Sequence, residues 1–133
     1  MSYPAGERSG REHVRGIDPE LLVQELRSGR RVTLVDVRST SEFRGPGGRI
    51  TGSRSIPLPQ LLARRDELAG LSSERLVVVS GRAVRSRLAA LELELMGFTE
   101  VQSLDGGLER WTALGFPIEH ATIPPARVEE RCA

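Results

Sequence analysis

Short runs of aliphatic and β-branched residues, each followed by a helical pattern, limit this chain to a small set of folds. The runs "RVTLVDV" and "RLVVV" are typical of buried strands, and "EVQSL" is a third strand candidate. A helical turn over Thr40–Arg44 follows the first run, and the helices Val84–Met96 and "GGLERWTAL" follow the other two. Repeated strand-then-helix units predict an α/β fold with a mainly parallel sheet and helices on both faces.

Two further extended segments, "HVRGI" and "RSIPL", bring the predicted sheet to five strands. Gly97 ends the helix Val84–Met96, and Asp18 with Pro19 predicts the start of an earlier helix. Apolar residues at helical spacing predict one apolar stripe on each of these two helices. They are Leu21, Leu22 and Leu26 on the earlier helix, and Leu88, Leu91 and Leu95 on the later one.

The length of 133 residues fits one domain, which we expect at residues 12–120, between a flexible arm at 1–11 and a tail at 121–133. A net charge of +1 gives no reason to expect nucleic acid or membrane partners. No run of about 18 apolar residues occurs, and the first residues do not resemble a secretory signal. The lone Cys132 offers no disulfide framework, so we expect a cytoplasmic protein.

The residue types present exclude several chemistries. All 19 basic residues are arginine, so no lysine is available for a Schiff base or a Walker-type phosphate contact. The sequence contains no cluster of Cys and His at metal-ligand spacing, so we expect neither a metal nor another cofactor. His13 and His120 lie near the two ends of the predicted domain and are expected at the surface.

The segment "LVVVSGRAVRS" is the candidate functional site. A strand ends at Ser80, a short loop follows, and a helix begins near Val84. Backbone N–H groups in such a loop can hold an anion at the positive end of the helix dipole. A thiolate at the first loop position would be a strong nucleophile, whereas a hydroxyl needs a base. The predicted anion-binding loop comprises Ser80, Gly81, Arg82, Ala83, Val84, Arg85 and Ser86.

Four ordered segments resemble the rhodanese-like (sulfurtransferase) domain family over roughly residues 12–119. "LVDVRSTSEF" is similar to the family's Asp-x-Arg-x-x-x-Glu-Phe segment, and "GGRITGSRSIPL" to its Gly-His-Ile-x-Gly-Ala-x-x-Ile-Pro segment. "VVVSGRAVRS" lies where the family has Cys-x-x-Gly-x-Arg-Ser, and "MGFTEVQSLDGGLERWTALGFP" resembles its closing stretch. One segment alone would be weak support, but all four in order identify the chain as a single-domain member.

The resemblance implies a role for each part of the site. In the family, the cysteine at the first loop position attacks a sulfane sulfur, holds it as a persulfide and passes it on to cyanide or a thiol. Four residues separate Ser80 from Arg85, as in sulfurtransferases, whereas related dual-specificity phosphatases of this fold have a longer loop. The family role of Arg85 is structural, with its guanidinium bonding loop carbonyls. Asp36 and Arg38 are expected to pair and to support the loops, and Trp111 is expected in the core.

Three departures from the family put sulfur transfer in doubt. Ser80 replaces the cysteine, and oxygen cannot store a sulfane sulfur as a persulfide. Ala83 replaces a glycine, which costs about 1 kcal/mol if that position needs a positive φ. Arg49 replaces a histidine, a change we expect to be structural. Cys132 lies in the tail, away from the loop, and is not expected to substitute for the nucleophile.

Three hypotheses follow. In the first, the domain is a pseudo-enzyme that binds a small oxyanion (thiosulfate, sulfate or phosphate), a sulfur carrier or a protein partner. In the second, it is a sulfurtransferase whose cysteine was exchanged for Ser80 by mutagenesis. In the third, Ser80 is a hydrolytic or phosphoryl-transfer nucleophile, which needs a base that the sequence does not supply. Arg82 and Arg87 are either solvated surface residues or, for Arg82, a guide that steers an anion to the loop.

Overall fold

The computed structural model describes residues 14–120. The predicted arm at 1–11 and the predicted tail at 121–133 lie outside these residues, as do His13 and Cys132. Five strands form one sheet. They are β1 (Gly16–Ile17), β2 (Thr33–Asp36), β3 (Arg54–Ser55), β4 (Arg75–Val79) and β5 (Glu100–Leu104). Their order across the sheet is β1-β5-β4-β2-β3, and every neighbouring pair is parallel.

Within residues 14–120, four α-helices and two 3-10 turns accompany these strands. The helices are α1 (Pro19–Arg27), α2 (Thr40–Phe43), α3 (Val84–Leu95) and α4 (Gly107–Ala113), and the turns span Leu58–Gln60 and Arg65–Leu68. The predicted α/β architecture with a five-stranded parallel sheet is confirmed. Because β4 lies at the centre of the sheet, its carboxyl end and the loop that follows are surrounded by neighbouring elements.

The sheet separates two hydrophobic cores, because alternate residues of a strand point to opposite faces. On β4, Leu76 and Val78 pack on one face and Val77 and Val79 on the other, all fully buried. Helix α3 and the two 3-10 turns cover the first face, whereas α1 and α4 cover the second. Trp111 of α4 is 1% exposed and donates its indole N–H to the carbonyl of Pro117 at 2.8 Å, which is the expected core position.

The apolar stripe predicted on α3 is not the face that packs on the sheet, whereas most of the stripe predicted on α1 does pack in the core. In α3, Leu88 is 52% exposed and Leu95 is 81% exposed, and the buried residues are instead Ser86, Ala89, Ala90 and Leu93. In α1, Leu22 is buried and Leu26 packs against the core as predicted, whereas Leu21 is 46% exposed. Helix α3 presents mainly small side chains to the sheet, so the leucine stripe did not identify its packed face. Among residues 14–120, no helix has the length and apolar character needed to cross a membrane.

Candidate active site

Ser80 lies at the centre of the loop between β4 and α3. Its side chain is buried, with the residue 1% exposed, and its Oγ accepts hydrogen bonds from two backbone amides. The amide of Ala83 donates at 3.2 Å and the amide of Ser86 at 3.1 Å. The loop therefore curls around the first side chain after the strand, and the helix N-terminus points at that side chain. This arrangement stabilises negative charge at the Ser80 Oγ position or beside it.

The backbone at Ala83 is left-handed, with φ 79° and ψ −8°. This position therefore has the positive φ at which alanine is less favourable than glycine. Ala83 is the single non-glycine residue with positive φ among residues 14–120. The left-handed turn directs successive amides toward one side of the loop. Four further loop and first-turn amides have no hydrogen-bond acceptor in the described part of the chain; they belong to Gly81, Arg82, Val84 and Arg85.

The first turn of α4 holds the loop in place. The amide of Leu108 donates to the carbonyl of Ser80 at 2.8 Å, and the amide of Glu109 donates to the carbonyl of Gly81 at 3.0 Å. Gly107 has φ 64°, and a Cβ on it would lie 2.6 Å from both the Gly81 carbonyl carbon and the Ser80 carbonyl oxygen. Glycine is therefore required at this position by close approach as well as by conformation.

Arg85 contacts a carboxylate, so the expectation that it bonds loop carbonyls is wrong. Its two terminal nitrogens donate to the Glu42 oxygens at 2.8 and 3.1 Å, a bidentate pair between residues 43 positions apart. Glu42 also completes a capping box with Ser39 at the start of α2. The Arg85 guanidinium, followed by the Ser39 amide, lowers the pKa of Glu42 to about 2, and Glu42 in turn raises the pKa of Arg85. Helix α2 is thereby tied to the loop.

The other two arginines near the loop are exposed. The Arg82 side chain is 78% exposed and lies 3.5 Å from the Glu109 carboxylate, so it is partly neutralised at the edge of the loop. Arg87 is exposed on α3, one turn from the loop. Arg82 therefore lies at the edge of the loop beside the free amides, whereas Arg85 is already paired with a carboxylate.

Asp36 and Arg38 form a buried ion pair beside the loop. The Asp36 carboxylate accepts from the backbone amide of Arg38 at 3.0 Å and from its guanidinium at 2.9–3.2 Å. Arg38 also donates to the carbonyl of Gly48 at 2.8 Å. The Asp36 side chain is fully buried and that of Arg38 is 9% exposed. This pair holds the glycine-rich segment against the end of β2 and takes no part in the loop's own hydrogen bonds.

A pair of buried serines supports the loop from below, and the sequence reasoning missed it. The hydroxyls of Ser86 and Ser103 lie 2.7 Å apart, and the Ser86 hydroxyl also donates to the Ala83 carbonyl at 3.2 Å. Nothing in the sequence pattern identified Ser103, because a serine inside a strand looks the same whether or not it has a partner. Its position on β5, next to β4, brings it under the start of α3.

Arg49 and His120 contact residues outside the Ser80–Ser86 loop. The Arg49 guanidinium pairs with Glu119 at 2.8 Å and stacks 4.9 Å from the centre of the Phe43 ring, which is a structural role. The exposed His120 contacts the Pro46 carbonyl through Nδ1 at 3.1 Å. Within residues 14–120, the hydrogen-bond partners of Ser80 Oγ are backbone amides, so no side chain is placed to take its proton. The same residues contain no group of three His, Cys, Asp or Glu side chains that could hold a metal.

Comparison with known proteins agrees with this geometry. The sequence profile of the rhodanese-like domain matches residues 18–114. The uncharacterized protein YqhL of Bacillus subtilis is 39% identical over 68% of this chain and 70% of its own length. The thiosulfate sulfurtransferase GlpE of Ectopseudomonas mendocina is 39% identical over 74% of this chain and 84% of its own. A crystal structure of a rhodanese-related protein from Thermoplasma volcanium superposes with a TM-score of 0.69 at 25% identity, covering 79% of this chain and 97% of that one.

Proposed function

Because the chain belongs to the rhodanese-like domain family and has sulfurtransferase homologues, we propose that it is a binding member of that family which does not carry sulfur. In this proposal Ser80 occupies the position of the family's persulfide-forming cysteine, and the loop from Ser80 to Ser86 binds a small oxyanion. The physiological ligand is a thiosulfate-like or phosphate-like anion, free or displayed on a sulfur carrier or protein partner. We assign this role to the cytoplasm.

The observation that carries the proposal is the environment of the Ser80 hydroxyl. Sulfur transfer requires a thiolate that attacks a sulfane sulfur and then holds it in an S–S bond. A hydroxyl is not ionised near neutral pH, and the two amides that donate to Ser80 Oγ do not remove its proton. Since no base contacts this oxygen among residues 14–120, the hydrolytic hypothesis lacks its essential partner as well.

The free backbone amides support the binding part of the proposal. Gly81, Arg82, Val84 and Arg85 offer N–H groups at the start of a twelve-residue helix, where the dipole favours an anion. The buried Ser80 side chain leaves the outer side of the loop available, and Arg82 stands at its edge. None of these features depends on a cysteine. An oxyanion can therefore bind even though the sulfur chemistry is missing.

A second candidate rests on the named relatives. If the natural gene encodes cysteine at position 80, the protein is a sulfurtransferase that carries an inactivating exchange. The gene sequence decides this point directly. Ala83 favours the first candidate, because an experimenter who removes a nucleophile changes one residue, whereas this loop differs from the family at two positions.

Two measurements test the proposal. The first is a thiosulfate:cyanide assay of the wild-type chain and of Ser80→Cys, with the exposed Ser73→Cys as the control for a thiol outside the loop. We expect activity in Ser80→Cys alone, and activity in the wild-type chain would contradict the proposal. The second is an NMR titration with sulfate and thiosulfate. We expect saturable shifts of the Gly81, Arg82 and Val84 amides, and unchanged loop amides would refute the binding role.

A further inference from the structure

Helix α3 is apolar on two opposite faces. One face packs on the sheet through Ser86, Ala89, Ala90 and Leu93, which are all buried. The other carries Val84, Leu88, Leu91 and Leu95, of which Val84 is 65%, Leu88 52% and Leu95 81% exposed. At about 100° per residue these four side chains lie within an arc of about 60°, directly opposite the buried face.

The spacing of the exposed stripe is that of a coiled-coil seam. Successive members of the stripe are four, three and four positions apart, which is the spacing of alternating d and a positions in a heptad repeat. The residues in this order are Val84, Leu88, Leu91 and Leu95. The sheet already satisfies the opposite face of the helix, so the intramolecular fold does not account for this second apolar stripe. A mainly apolar cleft of about 730 Å³ extends the stripe at its far end, and its lining comprises Leu58, Pro59, Leu62, Glu92, Leu95 and Met96.

The charges that flank the stripe change sign along the helix. Arg85 and Arg87 flank its first half, and Glu92 and Glu94 flank its second half. Arg87 and Glu94 border one side of the stripe and have no ionic partner within residues 14–120, while Arg85 is held by Glu42 on the other side. A helix with this pattern is complementary to a reversed copy of itself, since each basic half then meets an acidic half.

We propose that the exposed face of α3 binds a second copy of this chain in an antiparallel, two-fold symmetric pair. Val84 of each copy packs against Leu95 of the other, and Leu88 packs against Leu91. Arg87 of each copy pairs with Glu94 of the other, which gives two equivalent ion pairs across the axis. Because Val84 directly follows Ala83, the end of the second helix borders the Ser80 loop.

The size of the contact predicts a reversible dimer. A helix of 12 residues is about 18 Å long, so four apolar layers and the adjoining cleft form an interface at the low end of specific contacts. We therefore expect dissociation in the micromolar range. Sedimentation equilibrium of the full chain over a wide range of protein concentrations measures it.

Two leucine variants test the apolar seam. Leu95→Glu places two carboxylates in the interface, and we expect the dissociation constant to rise on the order of a hundredfold. Leu114→Glu is the matched control, since Leu114 is also an exposed leucine, 42% accessible, but follows α4 on the other side of the sheet. Thermal unfolding checks that both variants fold. A wild-type chain that stays monomeric, or a dimer that Leu95→Glu leaves intact, would overturn the proposal.

Charge reversal tests the orientation. Arg87→Glu and Glu94→Arg each turn two attractive contacts into repulsive ones, so each should weaken self-association by about tenfold. Mixing the two variants restores both contacts in the heterodimer, and we expect association to recover in the mixture. A parallel pair, or a different partner surface, predicts no recovery on mixing. That result would refute the antiparallel arrangement even if the chain were dimeric.

Discussion

The buried pair of Asp36 and Arg38 permits a quantitative prediction. Asp36→Asn keeps the size of the side chain but leaves the Arg38 guanidinium, 9% exposed, without a counter-charge. Removal of one partner from a buried ion pair costs about 3–5 kcal/mol. For a domain of roughly 100 residues, each kcal/mol lowers Tm by about 4 °C, so we expect a decrease of about 12–20 °C. Thermal unfolding followed by circular dichroism measures this decrease.

A matched exposed pair provides the control. Arg82→Ala removes an ion pair whose side chains are 78% and 65% exposed, and it should lower the unfolding free energy by less than about 1 kcal/mol. The double variant Asp36→Leu with Arg38→Met removes both charges and should recover most of the loss, apart from the lost bonds of the Arg38 backbone amide and of the Gly48 carbonyl. If Asp36→Asn were no more destabilising than Arg82→Ala, the assigned structural role of the pair would be wrong.

Three further predictions concern the contacts around the loop. The pKa of Glu42 is lowered from 4.5 to about 2, so its ion pair stabilises the fold fully above pH 4.5 and loses this contribution as the pH falls toward about 2. Because the Glu42 side chain is 44% exposed, we expect the contribution to the free energy of unfolding in urea to be less than about 1 kcal/mol. Its pH dependence should be smaller in Glu42→Gln and in Arg85→Ala. Ala83→Gly removes the strain of a left-handed alanine (about 1–2 kcal/mol), but it loses a buried methyl group (about 0.8 kcal/mol) and raises the entropy of the unfolded chain, and both of these effects lower stability. The free energy of unfolding should therefore change by less than about 1 kcal/mol. Ala83→Val should be clearly destabilising. Gly107→Ala should lower the free energy of unfolding by more than about 2 kcal/mol, because the new Cβ would meet the loop backbone. Gly115 is also at positive φ but has nothing within 4 Å of the position that a Cβ would take, so Gly115→Ala should cost about 1 kcal/mol. Equal losses would contradict the close-approach argument.

The order of elements and the position of the loop could be predicted from the sequence, because both depend on local patterns. "RLVVV" is apolar throughout, which is typical of a strand covered on both faces, and it forms the central strand β4. Ser80 follows it directly, so the candidate site lies at the carboxyl end of a central strand, as expected of a parallel sheet.

Features that depend on distant residues could not be predicted in this way. Leu88 and Leu95 gave a clear helical period, but α3 packs through Ala89 and Ala90, whose small side chains allow it to approach the strands closely. Arg85 bonds Glu42 because α2 returns to the loop, a contact between residues 43 positions apart. Neither the correct helix face nor this ion pair follows from periodicity, since each is decided by what the fold brings nearby.

The central claim is that the loop remains able to hold a sulfur-derived anion and lacks only its nucleophile. Intact-mass spectrometry of Ser80→Cys, in a Cys132→Ser background, tests it after incubation with thiosulfate. A thiolate at position 80 would attack the outer sulfur of thiosulfate, form a persulfide and release sulfite. We predict a gain of one sulfur atom that cyanide removes, and no gain in the same background with Ser80. Sulfur uptake by the Cys132→Ser chain that keeps Ser80, or no uptake by the same chain with Ser80→Cys, would contradict the claim.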